Sequence, residues 1–302
     1  MGGLSYNPDS EIPNLAGKVI LVTGGTAGIG EQTALQLAKH GPAHIYISGR
    51  NAASANTIIE GIAKAGSQTR VSFLKCDLAS LHSVREAAEL LLAQETRLDI
   101  LICNAGIMAV PPGLTADGYE VQFGTNHLGH ALLIQKLLPL IQTSSDPRIV
   151  ILTSLGFRLH PTGGVVFKDV MTTQDFGAFG SWIRYGQSKI ANLLYARELS
   201  KRYPAITSVA IHPGVVNTSL VGSLSRANRA FVWVSNFGKL LKPAEGAYNQ
   251  LWAATASKAK IQNGQLYEPV AVLSNRHDKT SQDDELAAKL WDWTDEALKD
   301  FY

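Results

Sequence analysis

Short apolar runs take turns along the chain with longer segments in which apolar residues recur at helical spacing. This pattern predicts that strands and helices follow one another. Six short runs rich in apolar and β-branched residues are strand-like: KVILVT (18–23), HIYIS (44–48), VSFLKC (71–76), LDILIC (98–103), RIVILT (148–153) and ITSVAIH (206–212). Each run is preceded or followed by ten or more residues with helical spacing. Because the runs are apolar on both faces, they indicate a parallel sheet covered by helices on each side.

This pattern predicts one α/β domain with a Rossmann-type, doubly wound parallel sheet in three layers, α/β/α. No repeat, low-complexity tract or linker divides the 302 residues, and a hydrophobic content of 45% can fill a large core. A terminal helix is predicted over about residues 281–300. Its first turn is acidic, and Leu290, Trp291 and Leu298 are expected to pack against the body.

The pattern loosens after residue 218. Ala230, Trp233, Phe237 and Leu241 keep a helical spacing that small polar residues interrupt. Two interpretations stay open for residues 219–241: an ordinary amphipathic helix, or a small helical lid over a substrate. If this segment is a lid, it is also the part of the chain expected to touch a membrane surface.

Charge and composition narrow the class of partner. The 27 basic and 25 acidic residues give a net charge of +2 and form no run, so no footprint for nucleic acid or an anionic membrane is visible. No stretch reaches the roughly 18 apolar residues that span a bilayer, and the N-terminus lacks the features of a signal peptide. We therefore expect a cytoplasmic protein with a small-molecule partner, no nucleic acid and no integral membrane segment. Homo-oligomerisation stays open.

The two cysteines, Cys76 and Cys103, each lie at the end of a run predicted as a buried strand. This placement favours small core residues over a disulfide or a metal pair, and we expect no metal site.

A glycine-rich turn, TGGTAGIG at residues 23–30, lies between the first predicted strand and the first predicted helix. Gly24, Gly28 and Gly30 allow the backbone to turn tightly, to approach a diphosphate and to direct a helix N-terminus at its charge. Such a turn can also exist without a ligand. Its position between strand and helix favours a dinucleotide.

The second strand ends in ISGRN, where a carboxylate would be expected in a protein that selects NAD. Gly49 and Arg50 occupy the candidate positions instead, and Arg50 can form charge-assisted hydrogen bonds to a 2′-phosphate. The sequence thus favours NADP(H), the alternative being a surface arginine on a solvated turn.

The stretch WIRYGQSKIANLL (182–194) places Tyr185 and Lys189 four residues apart among helix formers. On a helix these two side chains share a face. A tyrosine and a lysine at this spacing arise easily by chance, so the surrounding motifs must decide whether the pair is chemical.

Seven motifs in order, TGGTAGIG, CDLAS, CNAG, FGTNHLGH, ILTSLG, YGQSK and IHPGVVNT, resemble those of the short-chain dehydrogenase/reductase superfamily. The resemblance covers about residues 17–270. NHLGH, YGQSKIANLL and HPGVVNT are similar to the retinol-dehydrogenase-like branch, which includes relatives of the WW-domain-containing oxidoreductase.

This resemblance implies a set of cofactor contacts. They are Gly24, Thr26, Gly28, Ile29 and Gly30 in the first turn, Arg50, Asp77 and Leu78 at the adenine end, Asn104, Ala105 and Gly106 on the floor, Tyr185 and Lys189, and Pro213, Gly214, Val216 and Thr218 near the nicotinamide, with Thr218 on its carboxamide. From the residues alone, NAG after a strand is a tight turn and Pro-Gly a loop former.

The resemblance also implies a catalytic set of Asn126, Ser154, Tyr185 and Lys189. Each has a structural alternative: a helix kink, a strand end, a half-buried aromatic and a solvated charge, respectively. All four in the family's order favour the catalytic interpretation.

The chemistry explains these residue types. A carbonyl that accepts hydride develops negative charge on oxygen, which Ser154 would hold while Tyr185 supplies a proton. Lys189 would lower the pKa of the tyrosine and bind the nicotinamide ribose. Thr153 is an alternative to Ser154. The 31 positions from Ser154 to Tyr185 include residues 157–182, expected to form a loop over the substrate pocket.

The function implied is an NADP(H)-dependent oxidoreductase, ketone or aldehyde reduction being favoured, acting on a carbonyl or alcohol of an apolar small molecule. The expected pocket walls are Ile107, Met108, Val110, Phe157, Trp182, Val215, Phe231 and Trp233. The alternative is a catalytically silent NADP(H)-binding regulatory or scaffold protein, which would have no need of the acid and its lysine.

Overall fold

The computed structural model describes residues 5–222, 224–235 and 239–302. Its strands are β1 Val19–Thr23, β2 His44–Gly49, β3 Arg70–Lys75, β4 Ile100–Cys103, β5 Arg148–Leu152, β6 Thr207–Ile211, β7 Leu266–Glu268 and β8 Val272–Leu273. They form one sheet in the order β3-β2-β1-β4-β5-β6-β7-β8. Neighbours pair in parallel, except that β8 is antiparallel to β7. The direction of winding reverses between β1 and β4, where sheets of this kind bind ligands at the carboxyl ends of their strands.

Helices connect the strands and cover both faces of the sheet. They are α1 Pro8–Glu11, α2 Gly28–Ala38, α3 Ala52–Lys64, α4 Leu81–Gln94, α5 Val121–Phe123, α6 Gly129–Gln142, α7 Gly180–Arg202, α8 Ser219–Gly222, α9 Arg226–Ser235, α10 Pro243–Thr255 and α11 Asp284–Leu298. A π-helical turn, Gly124–Leu128, joins α5 to α6, and a 3₁₀ turn, Leu155–Leu159, follows β5.

Successive residues of the central strands enter two separate cores, because side chains alternate across a strand. Leu21 and Leu101 pack on the face covered by α4, α6 and α7, whereas Ile20 and Ile102 pack on the face covered by α2, α3 and α10. The predicted three-layer, doubly wound parallel sheet in a single domain is confirmed.

The two cysteines are free and buried, as predicted. Burial raises the pKa of the Cys76 thiol to about 12, so this thiol stays protonated at neutral pH. Both act as small core residues.

The predicted terminal helix is α11. Asp283 caps it by accepting a hydrogen bond from the Leu286 amide at 2.9 Å. Leu290, Trp291 and Leu298 are buried as predicted. The Trp291 ring stacks on Tyr195 of α7 with 4.8 Å between centroids, so α11 supports the helix that carries Tyr185 and Lys189.

The expectation for residues 157–182 is correct only at the two ends of this segment. Arg158, Leu159 and Trp182 line the cleft next to Ser154. The middle of the segment packs elsewhere: Val165 and Val170 are buried in the core, and the Val166 amide donates to the Gln187 side chain at 2.9 Å. Because these apolar side chains find burial beside α7 and α11, most of the segment is not a cover for the cleft.

Within 219–241 the described residues form two helices, α8 and α9, and the apolar positions on α9 do not all face inward. Phe237 lies outside the described residues. Ala230 and Trp233 are exposed, while Val232 is buried. Leu241 is held by backbone hydrogen bonds to Val215 and Asn217 of 2.8 and 2.9 Å. Helix α9 lies on the surface and buries Val232, so Ala230 and Trp233 face outward, and the choice between an amphipathic helix and a lid stays open.

Within residues 5–222, 224–235 and 239–302, no helix is both long enough and apolar enough to cross a bilayer.

Candidate active site

Two clefts meet at the carboxyl edge of the sheet. The first, of about 550 Å³, lies over the ends of β1, β2 and β4, and the second, of about 670 Å³, lies between the Leu155–Leu159 turn, α7 and α9. Tyr185, Thr153 and Thr218 line both clefts. We call the first the cofactor cleft and the second the substrate cleft.

The glycine-rich turn forms one wall of the cofactor cleft. Gly24 and Gly28 have φ values of +64° and +57°, a region that favours glycine. Gly30 lies directly against the backbone of Gly24 and leaves no room for a Cβ atom. Helix α2 begins at Gly28, so its free amide groups lie at this wall, where a phosphate would be stabilised. The turn has the form that a diphosphate needs.

The far end of the cofactor cleft is lined by Thr26, Arg50, Asp77 and Leu78. Arg50 is exposed, and no hydrogen bond or ion pair joins its side chain to another described residue. The Asp77 carboxylate accepts a hydrogen bond from the Ala79 amide at 3.0 Å, which fixes its orientation. Gly49 lies against Thr26, and a Cβ atom there would be 2.9 Å from the threonine hydroxyl. The Arg50 guanidinium is therefore available to bind a phosphate at this end of the cleft. Neither position 49 nor position 50 carries a carboxylate that would repel it.

The floor of the cofactor cleft follows β4. The Asn104 side chain donates to the Thr23 carbonyl at 2.8 Å, and the Ala105 amide donates to the Thr23 hydroxyl at 3.0 Å. A Cβ atom on Gly106 would lie 3.0 Å from Asn126 Oδ1 and 3.5 Å from Lys189 Nζ. Glycine at this position keeps the lysine accessible from the cleft.

The second half of the chain supplies the opposite wall. Pro213 and Thr218 line the cofactor cleft, and Thr218 Cγ2 is 3.4 Å from where a Cβ atom on Gly28 would stand. Gly214 and Val216 line the substrate cleft instead. Ile29 borders both clefts, whereas Gly30 lies behind the glycine-rich turn. Three of the residues predicted to bind cofactor, Gly30, Gly214 and Val216, thus do not face the cofactor cleft.

Ser154 and Tyr185 lie side by side where the clefts meet. Burial raises the pKa of the Tyr185 hydroxyl to about 12, and a hydrogen bond with the Ser154 side chain opposes this shift. Ser154 follows β5, and its hydroxyl oxygen accepts the Gly156 amide at 3.1 Å. This bond leaves the serine proton free to be donated to a second group.

Lys189 lies one helical turn after Tyr185 and is equally buried. Its ammonium donates to the Leu152 carbonyl at 3.0 Å and lies 5.8 Å from the centroid of the Tyr185 ring. Burial lowers the pKa of Lys189 to about 8. For the tyrosine, burial outweighs the opposing neighbour, Ser154, and raises the pKa, so a lowering by the Lys189 ammonium stays a prediction.

Thr153, the alternative to Ser154, has its hydroxyl committed elsewhere. It donates to the Lys189 carbonyl at 2.6 Å. Because a hydroxyl carries one proton, Thr153 braces the backbone of α7 and leaves Ser154 as the free donor.

Asn126 lies in the π-helical turn Gly124–Leu128. Its amide nitrogen donates to the Ile107 carbonyl and to the Ser188 hydroxyl, both at 2.9 Å, while its oxygen accepts the Ile107 amide at 2.8 Å. The side chain thus ties the floor of the cofactor cleft to α7 beside Lys189. Asn126 therefore lies in an irregular turn of the helix, as the structural alternative supposed, and also lies beside the proposed catalytic residues.

His130 belongs to the site, although sequence reasoning missed it. Its Nδ1 is 3.0 Å from the Asn126 carbonyl and its Nε2 is 2.8 Å from the Thr23 hydroxyl. A carbonyl only accepts, so Nδ1 carries the proton and Nε2 accepts from the threonine. Burial lowers the pKa of His130 to about 4, which keeps the ring neutral. Its position four residues after Asn126 in NHLGH was the available signal.

His212, which the sequence reasoning also missed, precedes Pro213 and lines the substrate cleft. Its side chain is buried, and its Nδ1 has no hydrogen-bond partner among the described residues. Burial lowers the pKa of His212 to about 4. No periodicity in the sequence distinguishes it from a core histidine.

The substrate cleft is mainly apolar. Of the predicted walls, four line it: Met108, Trp182, Val215 and Phe231. Ile107 faces the cofactor cleft, and Val110 faces neither cleft. The prediction is wrong for Phe157, which is fully buried in the core, and for Trp233, which is 58% exposed on the surface. Both misassignments arise because adjacent positions of a turn or helix point in different directions.

Known proteins resemble this chain over nearly its whole length. The short-chain dehydrogenase/reductase drtF of Aspergillus calidoustus is 36% identical over 95% of this chain and 96% of its own. Human retinol dehydrogenase 12 is 36% identical over 84% of this chain and 78% of its own. A crystal structure of an uncharacterized protein from Mycobacterium paratuberculosis has a TM-score of 0.75 at 28% identity and covers 98% of both chains. NADPH-dependent 3-quinuclidinone reductase from Rhodotorula rubra, with a TM-score of 0.68 and 21% identity over 90% of this chain and 96% of its own, shares the fold.

A family model for short chain dehydrogenases matches residues 18–229, a range that includes the glycine-rich turn, Asn126, Ser154, Tyr185, Lys189 and Thr218. The relatives add the retinol dehydrogenases, which confirms the resemblance stated from the motifs. The chain belongs to the short-chain dehydrogenase/reductase family, in its retinol-dehydrogenase-like branch.

Proposed function

We propose that this protein is an NADP(H)-dependent reductase that reduces the aldehyde or ketone of an apolar small molecule. The observation that supports this most directly is that Tyr185, which lies beside Ser154, lines both the cofactor cleft and the substrate cleft. A proton donor at this junction lies where a carbonyl in one cleft meets a cofactor in the other.

The cofactor cleft fits a nicotinamide dinucleotide. The bare Gly106 beside Lys189 leaves space that a side chain would fill, and the positive φ values of Gly24 and Gly28 shape the glycine-rich turn for a diphosphate. The glycine-rich turn would hold the diphosphate, Arg50 the 2′-phosphate, and Lys189 the ribose hydroxyls. When bound, the nicotinamide supplies the hydride.

The chain's own residues then handle charge and protons. Ser154 donates a hydrogen bond to the substrate oxygen, and Tyr185 gives its proton to that oxygen as negative charge develops. A tyrosine pKa of about 12 keeps the phenol protonated at neutral pH, which is the form that can give a proton to the substrate oxygen. Asn126 and Thr153 position α7, and hence Tyr185 and Lys189, by the bonds described above.

The apolar walls support an apolar substrate. Met108, Trp182 and Val215 offer hydrocarbon surface, and the related retinol dehydrogenases are named for an apolar alcohol. We further propose a cytoplasmic location with peripheral membrane contact through the segment 219–241.

The proposed activity is tested by following NADPH consumption across a panel of aldehydes and ketones of rising apolar size. We expect turnover that increases with the apolar surface of the carbonyl compound. The alternative, a cofactor-binding regulator, predicts stoichiometric NADPH binding with no turnover on any member. The assembled Ser154–Tyr185 pair is the reason to prefer the enzyme.

A further inference from the structure

Large apolar side chains lie exposed around α9, next to the substrate cleft. Phe179 is 60% exposed, Trp233 58% and Val234 66%. The Phe179 ring contacts Phe231 at 6.3 Å between centroids, and Phe231 contacts Trp182, a wall of the cleft, at 5.2 Å. We call Phe179, Phe231, Trp233 and Val234 the α9 patch. Monomeric proteins rarely expose such contiguous apolar surface without a binding partner.

Basic side chains lie on α9 and follow it along the chain. Residues 219–244 contain Arg226, Arg229, Lys239 and Lys242 and no acidic residue. All four are exposed, and none forms an ion pair with another described residue. The net charge of the whole chain is close to zero and does not reveal this local excess of four positive charges. For that reason the overall composition did not indicate binding to an anionic membrane.

Helical geometry arranges these residues in two adjoining stripes. Arg226, Arg229 and Trp233 follow one another at three- and four-residue steps and share one side of α9. Ala227, Ala230 and Val234 share the next side in the same way, and all three are exposed. An outward helix face that combines small apolar residues, a tryptophan and arginines is typical of helices that lie in a membrane interface.

We propose that the α9 patch docks on the surface of an anionic lipid bilayer and thereby places the mouth of the substrate cleft at the membrane. Trp233 and Val234 enter the interface between headgroups and acyl chains, and Arg226 and Arg229 pair with lipid phosphates. If the protein is the proposed reductase, its substrate is an apolar carbonyl compound dissolved in the bilayer. This compound enters the cleft past Phe231 without crossing water.

A second copy of this chain is a less suitable occupant. In a symmetric pair the same patch meets itself, so Arg226 and Arg229 of each copy approach the corresponding cations of the other. Like charges across an interface oppose association. An anionic surface has the complementary charge.

The test measures how the full chain partitions onto vesicles, without cofactor or substrate. Vesicles of phosphatidylcholine alone are compared with vesicles that contain about 30% phosphatidylserine, which gives a negative surface potential. We expect co-sedimentation with the anionic vesicles that weakens at high salt, and little with the neutral ones.

Two double variants separate the apolar and the basic contributions. Trp233→Ser/Val234→Ser should lower the partition coefficient by roughly tenfold or more, because two side chains lose membrane burial. Arg226→Gln/Arg229→Gln should lower it by about tenfold, on the anionic vesicles only. The matched controls, Leu90→Ser/Leu114→Ser at two other exposed leucines and Arg70→Gln/Lys75→Gln on β3, should bind as the parent does.

Three results would overturn the proposal: no binding of the parent to anionic vesicles, equal loss in the control variants, or a parent dimer that Trp233→Ser/Val234→Ser converts to monomer. Melting temperatures confirm that every variant is folded. Turnover on a water-soluble carbonyl compound is measured separately, so failure of the proposed reductase activity is distinguished from failure of membrane docking.

Discussion

The Tyr185 side chain is buried, yet its phenol has to transfer a proton to a substrate in the proposed reaction. Its surroundings raise the pKa to about 12, and Ser154 is the neighbour that opposes this. A neutral hydroxyl held by a serine is suited to donate a proton when negative charge develops beside it, and is a poor base until such charge or a cation is present.

The hydroxyl of Tyr185 can be removed without removing the ring. Tyr185→Phe should leave the free energy of unfolding within about 1 kcal/mol of the parent, while turnover falls about a hundredfold or more, because a positioned general acid contributes about 10² to 10⁴. NADPH affinity should be retained. The measurements are kcat, a denaturation curve and an NADPH titration. Turnover at the parental rate would remove Tyr185 from the mechanism.

Arg50 is the residue we expect to select the cofactor. Arg50→Ala should weaken NADPH binding by about ten- to a hundredfold, the value of a lost charge-assisted contact of roughly 1.5 to 3 kcal/mol, and leave NADH nearly unchanged. Titration of both cofactors into parent and variant measures the difference. Equal losses for the two cofactors would show that Arg50 does not read the 2′-phosphate.

Lys189 should make NADPH binding depend on pH. Its folded pKa of about 8 lies below the usual lysine value, so the ammonium that would hold the ribose is lost as pH rises through 8. The NADPH dissociation constant should therefore increase by up to about tenfold per pH unit above this point. In Lys189→Arg the side chain stays charged and the slope should disappear. A variant with the parental slope would assign it to another group.

Residues of the site differ in how visible they are to sequence reasoning. Tyr185 and Lys189 were predictable because the i, i+4 spacing on a helix fixes their relation. The pairing of Ser154 with Tyr185, across 31 positions, came from the family resemblance, since no local rule joins them. His212 lies in the motif IHPGVVNT, but no spacing relates it to the other site residues, and the folded chain brings it to the substrate cleft.

Among the secondary-structure elements, the strands that were predicted are those long enough to form a recognisable apolar run. The six predicted runs form β1 to β6, whereas β7 and β8 have three and two residues and were missed, because such lengths show no periodicity. Helix α9 was predicted as a helix but with a different buried face. The apolar face of an amphipathic helix usually packs against the protein. In α9, however, the apolar side chains Trp233 and Val234 are exposed to solvent.

The helices α8 and α9, within the segment 219–241, are expected to form a mobile cover for the substrate cleft. Val221 and Val232 line the cleft, whereas Trp233 and Val234 are exposed, so α9 is placed where a cover would close. Hydrogen exchange across the segment should slow when NADPH and a substrate analogue are added together. Exchange in α11, which is held by Leu290 and Trp291, should not change and serves as the control. Full protection of α9 without ligand would instead support a fixed amphipathic helix.

For the whole molecule, three buried histidines link stability to acid. Burial lowers the pKa of His127 to about 3 and those of His130 and His212 to about 4. Their unfolded values are near 6.5, so between pH 6.5 and about 4 the unfolded chain binds more protons than the folded one. In this window stability increases with pH and is lost as pH falls. His127 and His130 lie three residues apart, near α11 and Asn126, and His212 lies in the substrate cleft, so protonation acts at two places in the fold.

The expected result is a melting temperature that falls steeply below about pH 6, with a loss of several kcal/mol by pH 4.5. His130→Gln removes one titrating ring, keeps an amide that can bond to Asn126, and should flatten the slope of stability against pH by up to about one proton. His82→Gln, at a side chain that is 61% exposed, is the control and should leave the slope unchanged. Denaturant curves at half-unit steps from pH 7 to about 4.5 give the slopes directly. If the parent, His130→Gln and His82→Gln lose stability in parallel, His130 is not a source of the acid sensitivity.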